Sequence, residues 1–315
     1  MAGNQERLRS LVRGAWKQVG GVDGLAYRAG ERMPVIARKL LMKRALGGLS
    51  VSLCLHRVAD TPRSTDWQPY LCMSSSAITR LTDDLLDAGA RVTVTFDDGY
   101  RDAAEWLEQN AARFPQVEFL FFVCPEKAEQ RAGFRWDLVE TRGLAERADE
   151  LMSPVPNVAI ENTRSELREL ASRPEFALST VDELKALARS AKNVKLGNHT
   201  NLHLSPARFP DEVVREDFRR STAAFERLFG TQQHFAFPFG TPQHHFTQKH
   251  VDWLQALGDF TIWTTEARPY RAAEVEGGVL PRFPVNGQKD PASLAGWIAA
   301  RALDFRVRGS KFRYS

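Results

Sequence analysis

The sequence predicts an α/β protein built on a parallel sheet or barrel. Short β-branched and aromatic runs alternate with amphipathic helical segments along most of the 315 residues. The helical segments carry recognisable start and stop residues. At 43% apolar and 26% charged, the chain can bury one large α/β core or two small ones.

Residues 49–55 (LSVSLCL) read as the first buried strand, ending at His56-Arg57. Residues 76–88 read as a helix with Ile78, Leu81, Leu85 and Leu86 inward. The next strand, 91–96, alternates Val92, Val94 and Phe96 with Thr93 and Thr95. A helix over 103–112 leads to the strand 118–123 (EFLFFV). Residues 126–178 are charged, helical in pattern and interrupted by Pro154, Pro156 and Pro174, and are read as an inserted helical cap. The helix over 180–191 opens on a capping box, Thr180 with Glu183 three residues later. Residues 194–196 lead into a segment bearing two histidines, and a helix over 211–229 stopped by Gly230 follows. Residues 235–237, 260–263 and 279–283 read as strands, with helices over 248–257 and 292–302. On this reading residues 1–47 form a basic helical extension and 48–315 the main domain.

The net charge of +4 is unevenly placed. Residues 1–44 hold ten Lys or Arg against three acids, a local +7, so the remainder sums to −3. Leu8, Leu11, Val12, Ala15 and Val19 share a helical face among Arg7, Arg9, Arg13 and Lys17, and a second basic run spans 38–44. Such a start either packs on the domain, the favoured reading, or lies on an anionic membrane. Nucleic acid is excluded as a partner, since no aromatic interleaving or reading helix accompanies the charge. Cys54, Cys72 and Cys124 have no close spacing and read as reduced core residues. With no secretory signal pattern and no membrane-length apolar run, the expectation is a cytoplasmic protein, with peripheral contact at the inner membrane face as an option. Composition leaves the oligomeric state open.

Two motifs carry chemistry. Thr95-Phe96-Asp97-Asp98-Gly99-Tyr100 places two adjacent carboxylates where a strand meets a turn. They repel unless a cation or a shared proton intervenes, and a solvated Asp-Gly turn is the plain alternative. His199-Thr200-Asn201-Leu202-His203 sets two imidazoles four residues apart, able to aim at one point. Two imidazole nitrogens and one carboxylate make a three-ligand divalent metal set with room for water; two surface histidines are the alternative.

Together these segments resemble the first two motifs of the polysaccharide deacetylases, the NodB-homology family, and Phe235-Ala236-Phe237-Pro238-Phe239-Gly240 resembles the third. The resemblance spans roughly residues 50–290 and implies a distorted (β/α)7 barrel with its site at the C-terminal strand ends. It implies Asp98, His199 and His203 as ligands of one divalent ion, zinc first, with nickel, cobalt or ferrous iron as alternatives. Asp97 becomes the general base, with orienting a ligand histidine as its alternative role. The Tyr100 N–H becomes the oxyanion donor. Two departures stand out. The usual Arg of the third motif is Ala236, and the closing strand Val279-Leu280-Pro281-Arg282-Phe283 lacks the family's histidine. Leu55-His56-Arg57-Val58 instead resembles the branch that includes poly-N-acetylglucosamine deacetylases, in which an early strand supplies the acid. His56 is therefore the expected general acid, or else a strand-end histidine, and Arg282 the guanidinium that orients Asp97. Pro238, Phe239 and Gly240 are expected to wall the groove. Trp263 is either its apolar floor or barrel core. His244 and His245 lie in a loop that could reach the sugar, while His234 and His250 read as structural.

The resulting expectation is a metal-dependent hydrolase that removes an N-acetyl group from an amino sugar of a surface polysaccharide or its precursor. Deformylation, deacetylation of a small or lipid-linked sugar, and a non-catalytic glycan-binding barrel are the alternatives.

Overall fold

A computed structural model of the chain describes residues 20–60, 69–137, 164–271, 273 and 278–308. The strands are β1 (Ser50–Leu55), β2 (Arg57–Val58), β3 (Cys72–Met73), β4 (Arg91–Phe96) and β5 (Glu118–Val123), followed by β6 (Val194–Asn198), β7 (His234–Ala236), β8 (Thr261–Thr264), β9 (Val279–Pro281) and β10 (Phe283–Pro284). Eight of them form one sheet in the order β10-β1-β4-β5-β6-β7-β8-β9, every pair parallel. The two edge strands are consecutive in the chain and separated only by Arg282. One segment thus pairs with β8 at its start and with β1 at its end, which nearly closes the sheet into a barrel with helices outside.

The closing segment corrects the expected continuous strand at 279–283. Pro281 and Pro284 have no N–H to give a ladder, and the run changes partner at Arg282. The strand expected at 235–237 lies one residue earlier, at His234–Ala236. β1, β4 and β5 are buried on both faces, as parallel strands under helices must be, which is why they read as apolar runs. Their core includes Leu53, Val94, Phe96 and Phe121, joined by Leu294, Trp297 and Ile298 of the helix Pro291–Arg308. A second core gathers Phe218, Phe235, Phe237, Phe246 and Ile262.

The helices Gly20–Arg32 and Val35–Leu46 precede β1. Tyr27 stacks on Trp297 at 5.3 Å between centroids, and Arg301 pairs with Asp23 at 2.8 Å, so this region packs on the last helix. The apolar face of Leu8, Leu11, Val12, Ala15 and Val19 lies outside the described residues. Of the expected cap at 126–178, the helices Pro125–Gln130 and Arg164–Ala171 and the turn Pro174–Phe176 are described, and 138–163 are not. No helix among the described residues is long and apolar enough to cross a membrane.

The capping box forms as expected, with the Thr180 hydroxyl accepting from the Glu183 N–H and the Glu183 carboxylate from the Thr180 N–H. Thr180→Ala should therefore lower the unfolding free energy by about 1 kcal/mol. Urea denaturation should show an earlier midpoint at unchanged slope, and an unmoved midpoint would refute the cap's contribution.

Candidate active site

The site begins where β4 ends. The Asp97 N–H donates to the Leu55 carbonyl at 2.9 Å, continuing the β1–β4 register one step past the strand. That step sets His56, half-buried, beside Asp97: one ligand atom each of Cys54, His56 and Asp97 lie within 4.8 Å of one another. Asp98 and Gly99 then take φ of 75° and 86°, which turns the chain sharply. Asp tolerates that region, and at Gly99 a Cβ would also press on Val123.

Asp97 and Asp98 are both buried but have different partners. Arg282, fully buried, grips Asp97 with two parallel bonds, Nη1 to Oδ1 at 2.6 Å and Nη2 to Oδ2 at 3.0 Å. Its remaining donors reach Thr95 Oγ1 at 2.8 Å and the Thr264 carbonyl at 3.2 Å. The Cys54 thiol points at Asp97 Oδ2 from 3.4 Å. Burial is the largest influence and would raise the Asp97 pKa, but the Arg282 charge and hydrogen bonds together with His199 and His56 outweigh it and hold the carboxyl well below its usual range. The guanidinium that Ala236 lacks in the third motif thus arrives from the closing strand.

Asp98 Oδ1 lies 3.0 Å from His203 Nε2 and 3.6 Å from His199 Nε2, and it has no other partner among the described residues. His199 Nδ1 is 2.9 Å from the Ala236 carbonyl, a contact that requires the proton on Nδ1 and leaves a lone pair on Nε2. Burial pushes the His199 pKa down to about 4, so the ring is neutral near pH 7. A carboxylate oxygen facing an imidazole lone pair inside a buried pocket calls for a cation between them. The set of two imidazoles and one carboxylate, all within 4.8 Å, fits a divalent metal such as zinc.

The loop bearing the histidines is held from outside. Thr200 and His203 have φ of 63° and 52°. Buried Asp217, on the helix Asp211–Phe229, accepts from the Asn201 and Leu202 N–H groups at 3.2 and 3.1 Å. Its own carboxyl is pushed up to about 6 by burial. The sequence reading passed over Asp217, whose only signal is a carboxylate on a face otherwise made of Val214, Phe218 and Ser221.

Three more residues were missed, at the start of the insertion. Phe134 and Trp136 stack at 4.1 Å and stand edge-on to His203 at 5.6 and 4.7 Å. The Trp136 indole donates to the Tyr100 hydroxyl at 2.8 Å, which itself donates to buried Asp137 at 2.9 Å. Burial pushes the Asp137 carboxyl up to about 7. The aromatic pair just before Asp137 in a charged segment was the available clue. Tyr100 bridges Leu178 through bonds made by its neighbours Arg101 and Gly99, so its own N–H turns away from that strand. Phe239, half-buried with φ 61°, packs edge-on to His203 at 5.1 Å, between buried Pro238 and Gly240. Trp263 is buried one layer below, with Leu120, Phe122 and Ala236, out of reach of solvent. His245 accepts from the Thr241 N–H, His250 caps its own helix, and His234 takes the Trp263 indole N–H. All three cysteines are buried and none forms a disulfide.

The family model for polysaccharide deacetylases matches residues 87–258. Among solved structures, the fold is similar to that of a polysaccharide deacetylase from Bacillus cereus, with TM-score 0.51 and 15% identity over 79% of this chain and 68% of that one. It is also similar to the Streptococcus pyogenes deacetylase PplD in complex with acetate, with TM-score 0.52 and 13% identity over 78% and 96% of the two chains. None of the curated proteins matches the chain in sequence.

The Asp97–Arg282 pair generates a pH prediction. Folded Asp97 titrates below its unfolded value of about 3.9, so the pair's contribution is present above that pH and lost as pH falls below it. Arg282→Met should lower the unfolding free energy by about 3–5 kcal/mol near neutral pH, because Asp97 is left buried and unpaired. In the variant, Asp97 takes up a proton more readily, so the gap from wild type should narrow on acidification. Urea unfolding from neutral pH downward measures it, and a constant gap would refute the pairing.

Proposed function

The chain belongs to the polysaccharide deacetylase family, and on that premise we propose a metal-dependent hydrolase that removes an N-acetyl group from an amino sugar of a surface polysaccharide or its precursor. One observation carries the metal dependence: Asp98, His199 and His203 converge on one point, with the lone pair of His199 turned toward an oxygen that has no donor but His203. A divalent ion bound there would polarise the amide carbonyl and acidify a water.

The other steps belong to the chain's own residues. Asp97 is ionised throughout the working range and accepts the proton of the attacking water. Arg282 fixes its plane and its charge. The Tyr100 N–H, beyond the Gly99 turn, is the donor to the developing oxyanion. His56 protonates the leaving amine. Its place at the end of β1, together with a closing segment at 279–284 that has no histidine, supports the poly-N-acetylglucosamine type of arrangement. Trp136 and Phe239 flank His203 and offer apolar surface to a sugar ring. The acetate held by the streptococcal relative is the product this reaction would release.

The test is acetate release from a panel of N-acetylated sugars, with metal content measured alongside. Asp97→Asn should lower turnover by roughly a hundredfold while leaving the metal in place, whereas His199→Ala should lose the metal. Full turnover in Asp97→Asn, or unchanged metal in His199→Ala, would sink the assignment.

A separate test isolates the acid. His56→Ala should slow amide cleavage strongly and cleavage of an activated ester little, since only the amine needs a proton to leave. Equal losses on both substrates would remove His56 from that role.

A further inference from the structure

We propose that the helix Val35–Leu46 is a contact face for anionic phospholipid bilayers. Seven large apolar side chains are exposed among the described residues, and three of them sit on this one helix: Val35 at 53%, Ile36 at 77% and Leu40 at 65%. A fourth, Val307 at 84%, follows Arg306, which donates to the Ala45 and Gly47 carbonyls and so pins the end of the same helix. Ile36 and Leu40 stand one turn apart on the face away from Met42, Ala45 and Leu46, which are packed in the core, while Val35 begins the helix. The helix is thus apolar on two sides, and only one is covered.

The charge around the bare face selects what covers it. Lys39, Lys43 and Arg44 are exposed beside Ile36 and Leu40. Residues 28–44 hold six Lys or Arg against Glu31 alone, and among the described residues the acid paired with this helix is Asp87, 3.0 Å from Lys39. Residues 1–19 carry Arg7, Arg9, Arg13 and Lys17 against Glu6, the same sign, so their charge is repelled by Lys39, Lys43 and Arg44. A second copy would bring the same positive charge. An acidic lipid surface offers both parts of the complement, negative headgroups for the Lys and Arg and an acyl boundary for Ile36 and Leu40. The helix leads into the N-terminal end of β1, whereas His56 and the metal-ligand candidates stand at the C-terminal strand ends. Changes to this face therefore leave the site untouched.

The test is co-sedimentation of the full chain with vesicles of phosphatidylcholine, alone or with about one-third phosphatidylglycerol. The wild type should be recovered with the anionic vesicles, less so at high salt, and not with neutral ones. Two variants separate the contributions, Ile36→Asp with Leu40→Asp, and Lys43→Glu with Arg44→Glu. Each should weaken vesicle binding by roughly tenfold or more, with an unchanged circular dichroism spectrum and unfolding midpoint. Equal recovery on neutral vesicles, or no recovery at all, overturns the proposal. So does full binding by both variants, which would assign the contact to residues 1–19. Self-association without vesicle binding, abolished by Ile36→Asp with Leu40→Asp, overturns it in favour of a second copy.

Discussion

The ion pair between Arg282 and Asp97 is the constraint on which the barrel and its site both depend. A guanidinium fully out of water costs several kcal/mol unless its donors find acceptors. Here they reach both oxygens of Asp97, the Thr95 hydroxyl and the Thr264 carbonyl, and the ring of Phe122 lies 5.2 Å away. Those partners come from β4, β5 and β8, so one side chain ties the closing segment to three other strands. The same contact sits where β9 gives way to β10. The sheet changes partner there, and the side chain at the break fills the interior rather than a ladder position.

The pair also divides the labour of two adjacent carboxylates. Asp97 has its charge met by a protein cation and stays ionised without a bound ion, as the general-base role proposed for it requires. Asp98 has none within bonding reach and faces two imidazoles. Two neighbours of identical chemistry are given different surroundings, which suits the separate acid–base and metal-ligand roles proposed for them. Arg282 thereby supplies the guanidinium that the third motif lacks at Ala236, from the opposite side of Asp97's strand.

How much of this was legible follows from how local each signal is. LSVSLCL, RVTVTF and EFLFFV announced themselves because doubly buried parallel strands have no polar face to interrupt them. Thr180 with Glu183, and Phe229 before Gly230, fixed helix ends because capping is decided within a few residues. The HFAFPF run alternates equally well in two registers, and the strand came out one residue earlier than expected. The break at Arg282 could not be read from its neighbours, since its cause is a carboxylate 185 residues away. The same holds for Asp217, Phe134, Trp136 and Asp137. The aspartates at 97 and 98 and the paired histidines are motifs within a few residues, whereas these four act only through tertiary packing. The insertion looked like a charged cap, and its described start turns out to line the site.

The two histidines are held by different physics, and this bears on how the insertion couples to chemistry. His199 is oriented by a hydrogen bond, its Nδ1 locked to the Ala236 carbonyl. The Nδ1 of His203 is buried without a partner among the described residues, and its ring is flanked by Phe134, Trp136 and Phe239. Packing therefore sets its direction, and two of the three packing residues belong to the insertion. Tyr100 extends the link. Its phenol is fixed by Trp136 and Asp137, while its backbone follows directly on the Asp98–Gly99 turn. One residue thus joins the insertion on its side-chain side to the proposed oxyanion donor on its backbone side. A shift of the 134–137 segment would move a candidate metal ligand and that donor together. The described segment 134–137 is accordingly part of the site's geometry and not a cover laid over a finished barrel.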